Sequence, residues 1–173
     1  FTRQATVAQS LAPRRDYAGQ QPGLAGRRML VVDDNATNRK VISLQAAKWG
    51  MAPRDTESAA QALRWLERGE RFDVAVLDMT MPEMDGLALA ERMRALSPGL
   101  PLVLFSSLGR REAGDTRGLF SAYLGKPLRQ SQLFDTLSGL FEQAQETPHP
   151  APVATRPRLD PGMAARHPLR ILL

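Results

Sequence analysis

The sequence predicts an α/β domain, a doubly wound parallel sheet of five strands with helices on both faces. Three observations carry this expectation. Strand-like and helix-like segments alternate five times between Arg27 and Phe141, and such alternation builds a parallel sheet through right-handed crossovers. The clearest strand candidates, Met29-Leu30-Val31-Val32 and Val74-Ala75-Val76-Leu77, are short continuous apolar runs, the pattern of strands buried on both faces. Composition is globular, with 43% hydrophobic and 24% charged residues over 173 positions, and the lack of Cys excludes a disulfide scaffold or a thiolate zinc site.

The elements follow in order. After the first strand, Ala36–Trp49 reads as a helix with Ile42, Ala46 and Trp49 spaced i, i+4, i+7, ended by Gly50. A weak strand is expected near Ala52–Asp55. Ser58 can cap a second helix carrying Ala62, Leu63 and Leu66 on one face, closed by Gly69. The third strand, Val74–Leu77, ends at Asp78. Asp85 opens a third helix with Leu89, Met93 and Leu96 on one stripe. Pro101 introduces a strand over Leu102–Phe105. A short, frayed helix is expected near 111–120, because Gly109, Gly114 and Gly118 fall close by and an interior Gly costs a helix about 1 kcal/mol relative to Ala. Ala122-Tyr123-Leu124 is the last strand. A final helix starts near Ser131, with Leu133, Leu137 and Leu140 on one stripe.

The flanks differ in texture. Residues 1–26 mix Arg, Gln, Pro and Gly without sustained periodicity and read as an N-terminal linker. Residues 142–167 are rich in Pro and Ala and free of aromatics, the composition of an extended interdomain linker. The net charge of +5 is spread as +2, +2 and +1 over residues 1–26, 27–141 and 142–173. No basic run is interleaved with aromatics, so a nucleic-acid partner is not expected. No apolar run approaches the roughly 20 residues that span a bilayer, and no secretory signal is visible, which places the expected chain in the cytoplasm.

In a parallel sheet, ligands gather beyond the carboxyl ends of the strands. The strand ends in this sequence carry Asp33-Asp34, Asp78, Ser106-Ser107 and, after Gly125, Lys126-Pro127. Taken singly, each has an ordinary role: a helix cap, a turn residue, a loop hydroxyl, a surface charge. Taken together, three carboxylates on one rim repel one another and are costly without a cation. A hard oxygen site for Mg²⁺ resolves the conflict, with Lys126 as a second positive charge.

The segment from Arg28 to about Phe141 resembles a two-component receiver domain, the phosphoacceptor module of response regulators and hybrid sensor kinases. The residues that carry the resemblance are Leu30-Val31-Val32-Asp33-Asp34-Asn35, the stretch Leu77-Asp78 through Met81-Pro82 to Asp85-Gly86, Ser106, and Lys126-Pro127. The resemblance implies a flavodoxin-like sheet of order 2-1-3-4-5 and a receiver over residues 27–141. It implies that Asp78 accepts a phosphoryl group from a partner's phosphohistidine. It further implies that Asp34, Asp78 and the backbone carbonyl of Thr80 bind Mg²⁺, with Asp33 acting through a water. Lys126 would pair with the phosphoryl oxygens, Ser106 would donate its hydroxyl to the phosphate, and Tyr123 would be the aromatic that reorients with it. The Lys126–Pro127 peptide is cis in this family. The implied partner is the histidine-phosphotransfer or dimerisation domain of a sensor kinase.

Residues 168–173, Pro-Leu-Arg-Ile-Leu-Leu, repeat the texture of the first strand, a basic residue followed by an apolar run. They read as the first strand of a truncated second receiver, and a strand-exchanged homodimer is a conceivable consequence. The parent would then be a hybrid sensor histidine kinase. This stretch itself is not expected to be a kinase: it has no ATP-binding glycine boxes, and its two histidines, His149 and His167, lie in the linker. Three competing readings are an Asp-nucleophile phosphatase, a receiver that binds partners without phosphorylation, and a nucleotide-binding domain. The first needs an acid two residues after Asp78, where Thr80 stands. The second leaves the complete residue set without a purpose. The third lacks a glycine-rich turn after the first strand.

Overall fold

The structure, a computed structural model, describes residues 19–107 and 118–145. Five strands form one parallel sheet of order β2-β1-β3-β4-β5. They are β1 (Arg28–Val32), β2 (Ala52–Thr56), β3 (Val74–Asp78), β4 (Leu102–Ser106) and β5 (Ala122–Gly125). The helices are α1 (Ala36–Lys48), α2 (Ala59–Glu67), α3 (Gly86–Leu96) and α4 (Gln130–Gln145). Of the helix expected near 111–120, residues 111–117 lie outside the described residues, as do the proline-rich segment from 146 and the strand-like tail 168–173.

Alternate residues along the central strands feed two cores. On one face, Leu30, Val32, Leu77 and Leu104 pack with Ala62, Leu63 and Leu66 of α2 and Leu89 and Met93 of α3. On the other, Met29, Val31, Val76, Val103 and Phe105 pack with Ile42 and Ala46 of α1 and Leu133 and Leu137 of α4. The fully buried Trp49 meets Phe134 edge-to-face, with ring centroids 5.2 Å apart. The apolar runs read as two-sided strands are buried, Met29–Val32 in β1 and the whole of β3, as is every residue of β4, whereas the edge strand β2 has no buried residue.

Helix starts follow local chemistry. Asn35 accepts from the N–H groups of Thr37 and Asn38, Ser58 from Gln61, and Asp85 from Ala88. Because Asn35 takes the cap of α1, the preceding Asp33-Asp34 is left to the rim. Gly50 and Gly69 follow α1 and α2 in left-handed conformations, at φ of 85° and 82°.

Two readings differ from the structure. Leu96 does not join the stripe of α3. It is the last helical residue, 44% exposed, and lines a groove at the far end of the sheet with Phe72 and Phe141. And the chain is already packed before Arg27. Leu24 is 1% exposed within the α1/α4 core, and Gln21 and Gly26 donate main-chain hydrogen bonds to the carbonyls of Trp49 and Gly50. A Leu24-Ala25 pair between glycines has no periodicity, so the sequence reads as a linker where a turn is docked.

Candidate functional site

All the rim residues lie beyond the carboxyl end of the sheet, as the crossover topology requires. Asp33 follows β1 and is 1% exposed. Its Oδ1 accepts from the Asn35 N–H at 2.7 Å, and Asn38 Nδ2 donates to both carboxylate oxygens, at 3.0 and 3.3 Å. Asp34 beside it is exposed. Asp78 ends β3, paired in register with Phe105, and is also buried. Its Oδ1 accepts from Lys126 Nζ at 2.7 Å and from the Thr80 N–H at 3.4 Å. Lys126 also stands 3.9 Å from Asp33 Oδ2 and lies over the Phe105 ring. Its main-chain N–H donates to the Ser106 carbonyl, which continues the β4–β5 ladder to the rim, and its peptide bond to Pro127 is cis.

The hydroxyl residue Ser106 ends β4, almost buried. Tyr123 on β5 pairs with Leu104, two residues before Ser106, so the ring and the hydroxyl share one face of the sheet and line one cavity with Phe120.

The corner between β3 and α3 is held by close backbone approach. Gly86 donates its N–H to the Met79 carbonyl, and a Cβ at this position would stand 2.3 Å from the Asp78 carbonyl oxygen. Only glycine lets α3 begin so close to the strand end.

One oxygen from each of Asp33, Asp34 and Asp78 lies within 4.8 Å of the others. Burial pushes the Asp33 carboxyl above the ordinary carboxylate range, and the Asp78 charge adds to it against the hydrogen bonds from Asn35 and Asn38 and the charge of Lys126. Crowded carboxylate oxygens, two of the three groups buried, with one ammonium among them, suit a small, hard divalent cation. The donor set therefore fits Mg²⁺.

The sequence reading puts Asp33, Asp34, Asp78, Ser106 and Lys126 on one rim, and the structure brings them together there, with Tyr123 inside β5 opposite Leu104. It missed Asn38 and Arg39. Arg39 donates from one terminal nitrogen to the main-chain carbonyls of both Asp33 and Asp34, at 2.7 and 3.0 Å. A signal was available: an arginine in the first turn of a helix opposes the macrodipole and needs a partner elsewhere.

Fold and rim together define a flavodoxin-like α/β domain with an acidic site at the carboxyl end of its sheet. The family model of the response regulator receiver domain matches residues 29–138, and the chain belongs to that family. It carries a receiver domain of two-component signalling. Among its relatives is the transcriptional regulatory protein GlrR of Escherichia coli, 31% identical over 148 residues, which cover 84% of this chain and 31% of that protein. Another is probable histidine kinase 4 of Oryza sativa, 39% identical over 100 residues, 52% of this chain and 10% of the kinase. The chain thus spans a third or less of these relatives. Among solved structures, the receiver domain of a sensor histidine kinase from Pseudomonas aeruginosa, with magnesium coordinated in its active site cleft, is similar at a TM-score of 0.60 and 26% identity. It covers 68% of this chain and 98% of its own. No helix among the described residues is long and apolar enough to cross a membrane.

Proposed function

We propose that this receiver accepts a phosphoryl group on Asp78 from a phosphohistidine of a sensor-kinase dimerisation or histidine-phosphotransfer domain. The observation that carries the reading is the position of Asp78, buried at a strand end, 2.7 Å from Lys126 and clustered with Asp33 and Asp34. In the reaction, the bond from histidine nitrogen to phosphorus breaks as the bond from an Asp78 carboxylate oxygen to phosphorus forms. Such a transfer needs positioning and charge neutralisation more than covalent chemistry from the protein. Asp34, Asp78 and the Thr80 carbonyl would hold Mg²⁺, which when bound supplies charge neutralisation to the transferring group. Lys126 exchanges part of its contact with the Asp78 carboxylate for the arriving phosphoryl oxygens. Ser106 donates its hydroxyl to the new phosphate. Tyr123, on the wall that Ser106 shares, follows that movement and carries the change to the β4–β5 surface, the pattern of a local charge event biasing a bistable element.

The expected result is Mg²⁺-dependent labelling of the chain by a small phosphodonor, abolished in Asp78→Asn. Undiminished labelling of that variant would sink the assignment. Beryllofluoride uptake in Mg²⁺ separates this reading from a receiver that acts without phosphorylation, which would show none. We further propose that the receiver belongs to a hybrid sensor histidine kinase. The 39% identity to a histidine kinase supports this, as does the likeness to a sensor-kinase receiver.

A further inference from the structure

The first turn of α1 holds two side chains that grip the acidic doublet without belonging to it. Asn38 holds the Asp33 carboxylate by both oxygens. Arg39 holds the backbone. Its Nη1 carries two N–H groups, and these reach the carbonyls of Asp33 at 2.7 Å and Asp34 at 3.0 Å. Its Nε faces Asp55 at 3.3 Å and its Nη2 faces Glu57 at 3.4 Å, at and just beyond the end of β2. The Arg39 side chain is 13% exposed.

The two carbonyls belong to the peptide planes on either side of Asp34. Fixing both planes sets the direction of the Asp34 Cα–Cβ bond. Asp34 is the exposed member of the acidic cluster, so burial does not fix its position as it does for Asp33 and Asp78. We propose that Arg39 is a positioning residue for Mg²⁺: it locks the β1–α1 turn so that the Asp34 carboxylate is aimed at Asp78 before the cation arrives. This inference rests on the phosphoacceptor reading of the site.

The chemistry calls for arginine. A planar guanidinium offers five donors in a fixed fork and can serve two carbonyls and two carboxylates at once, whereas an ammonium on a flexible stem cannot hold this spread. The ion pairs to the exposed Asp55 and Glu57 add little energy by themselves. Their consequence is geometric, because they anchor the far side of the guanidinium to the end of β2. Groups that orient metal ligands in this way are typically worth about 10- to 100-fold in metal affinity.

The test is a titration of the chain with MgCl₂ alone, followed by the amide chemical shifts of Asp33, Asp34 and Asp78, for the parent and for Arg39→Ala. Thermal melts in EDTA run beside it. The expected result is a dissociation constant for Mg²⁺ raised about tenfold in Arg39→Ala. A merely structural role lowers the EDTA melting temperature and leaves that constant alone, so a folded Arg39→Ala with parental Mg²⁺ affinity overturns the proposal. Should Arg39→Ala fail to fold, Arg39→Lys keeps a cation that reaches one carbonyl, and its Mg²⁺ affinity is expected to drop several-fold; parental affinity there overturns the proposal equally. A parent that shows no Mg²⁺-dependent shift overturns the phosphoacceptor reading, and this inference with it. A parent that binds while the Arg39 variants bind as well overturns this inference alone.

Discussion

Burial takes the Asp33 carboxylate almost wholly out of water and leaves it beside a second buried carboxylate, Asp78. Unlike Asp78, which has Lys126 at 2.7 Å, Asp33 has its ammonium only at 3.9 Å. Its carboxyl is therefore pushed up, first by desolvation and then by the Asp78 charge. The consequence for stability has a definite sign. Below the pKa of the unfolded chain both states are protonated and nothing is lost. As the pH rises from there through the higher folded-state value, folding has to carry a charged carboxylate into the rim, and the cost becomes full above that value. Asp33→Asn removes the charge. Its Oδ1 can still accept from the Asn35 N–H, and the Asn38 amide can turn to offer its oxygen. In EDTA at neutral pH, Asp33→Asn is expected to gain about 1 kcal/mol, a rise of a few degrees in melting temperature. The gain should vanish in acid, where the parent is itself protonated, while Mg²⁺ affinity falls. Melts in EDTA at pH 7 and at about pH 2.5, well below the ordinary aspartate value, check the sign. A variant less stable than the parent at pH 7 would refute the account of Asp33 as a carboxylate whose hydrogen bonds and distant ammonium do not offset its burial.

The corner joining β3 to α3 shows how an element, rather than a residue, builds the site. Asp85 caps α3 through the Ala88 N–H, and Gly86 then places the helix start against the Asp78 carbonyl. Helix propensity alone says that Gly86→Ala should stabilise α3 by about 1 kcal/mol. The packing says the opposite. The added Cβ would stand 2.3 Å from the Asp78 carbonyl oxygen and 3.1 Å from the Met79 Cα, both main-chain atoms with no rotamer to give. A loss of about 3 kcal/mol is expected, together with slower labelling of Asp78 as α3 backs away from the strand end. Urea midpoints and phosphodonor labelling of the same variant decide between propensity and packing. The contrast also marks what can be read without coordinates. The apolar runs of β1 and β3, the helical stripes of Ile42-Ala46-Trp49 and Leu133-Leu137, and the caps Ser58 and Asp85 were all legible, because period and cap chemistry are local. So was the rim, because parallel topology sends every strand end to one side. Arg39 offered only the hint of a cation near a helix start, and the roles of Arg39 and Asn38 were not legible, since their partners, two main-chain carbonyls and a neighbouring carboxylate, leave no pattern in the sequence. Leu96 kept the helical spacing of the α3 stripe and is still exposed, as the last residue of the helix.

At the scale of the whole molecule, the packed unit extends beyond the stretch that the family model matches. That match begins at residue 29, yet the turn through Gln21 and Gly26 is hydrogen-bonded to the end of α1 and carries Leu24 into the α1/α4 core. This docking lies at the amino end of β1, and the acidic rim lies at the other. The five residues of β1 put about 16 Å between them. Stability and chemistry should therefore separate. Leu24→Ala removes a side chain that is 1% exposed and is expected to cost about 3 kcal/mol, the range for a buried leucine whose site cannot fully collapse. Mg²⁺ affinity and the rate of phosphodonor labelling of the folded fraction should stay at parental values. The urea midpoint measures the first and a Mg²⁺ titration well below that midpoint measures the second. A parental urea midpoint would show that the turn is a tether and not part of the core. A loss of Mg²⁺ affinity matching the loss of stability would show that the two ends of the sheet are coupled through β1 rather than independent.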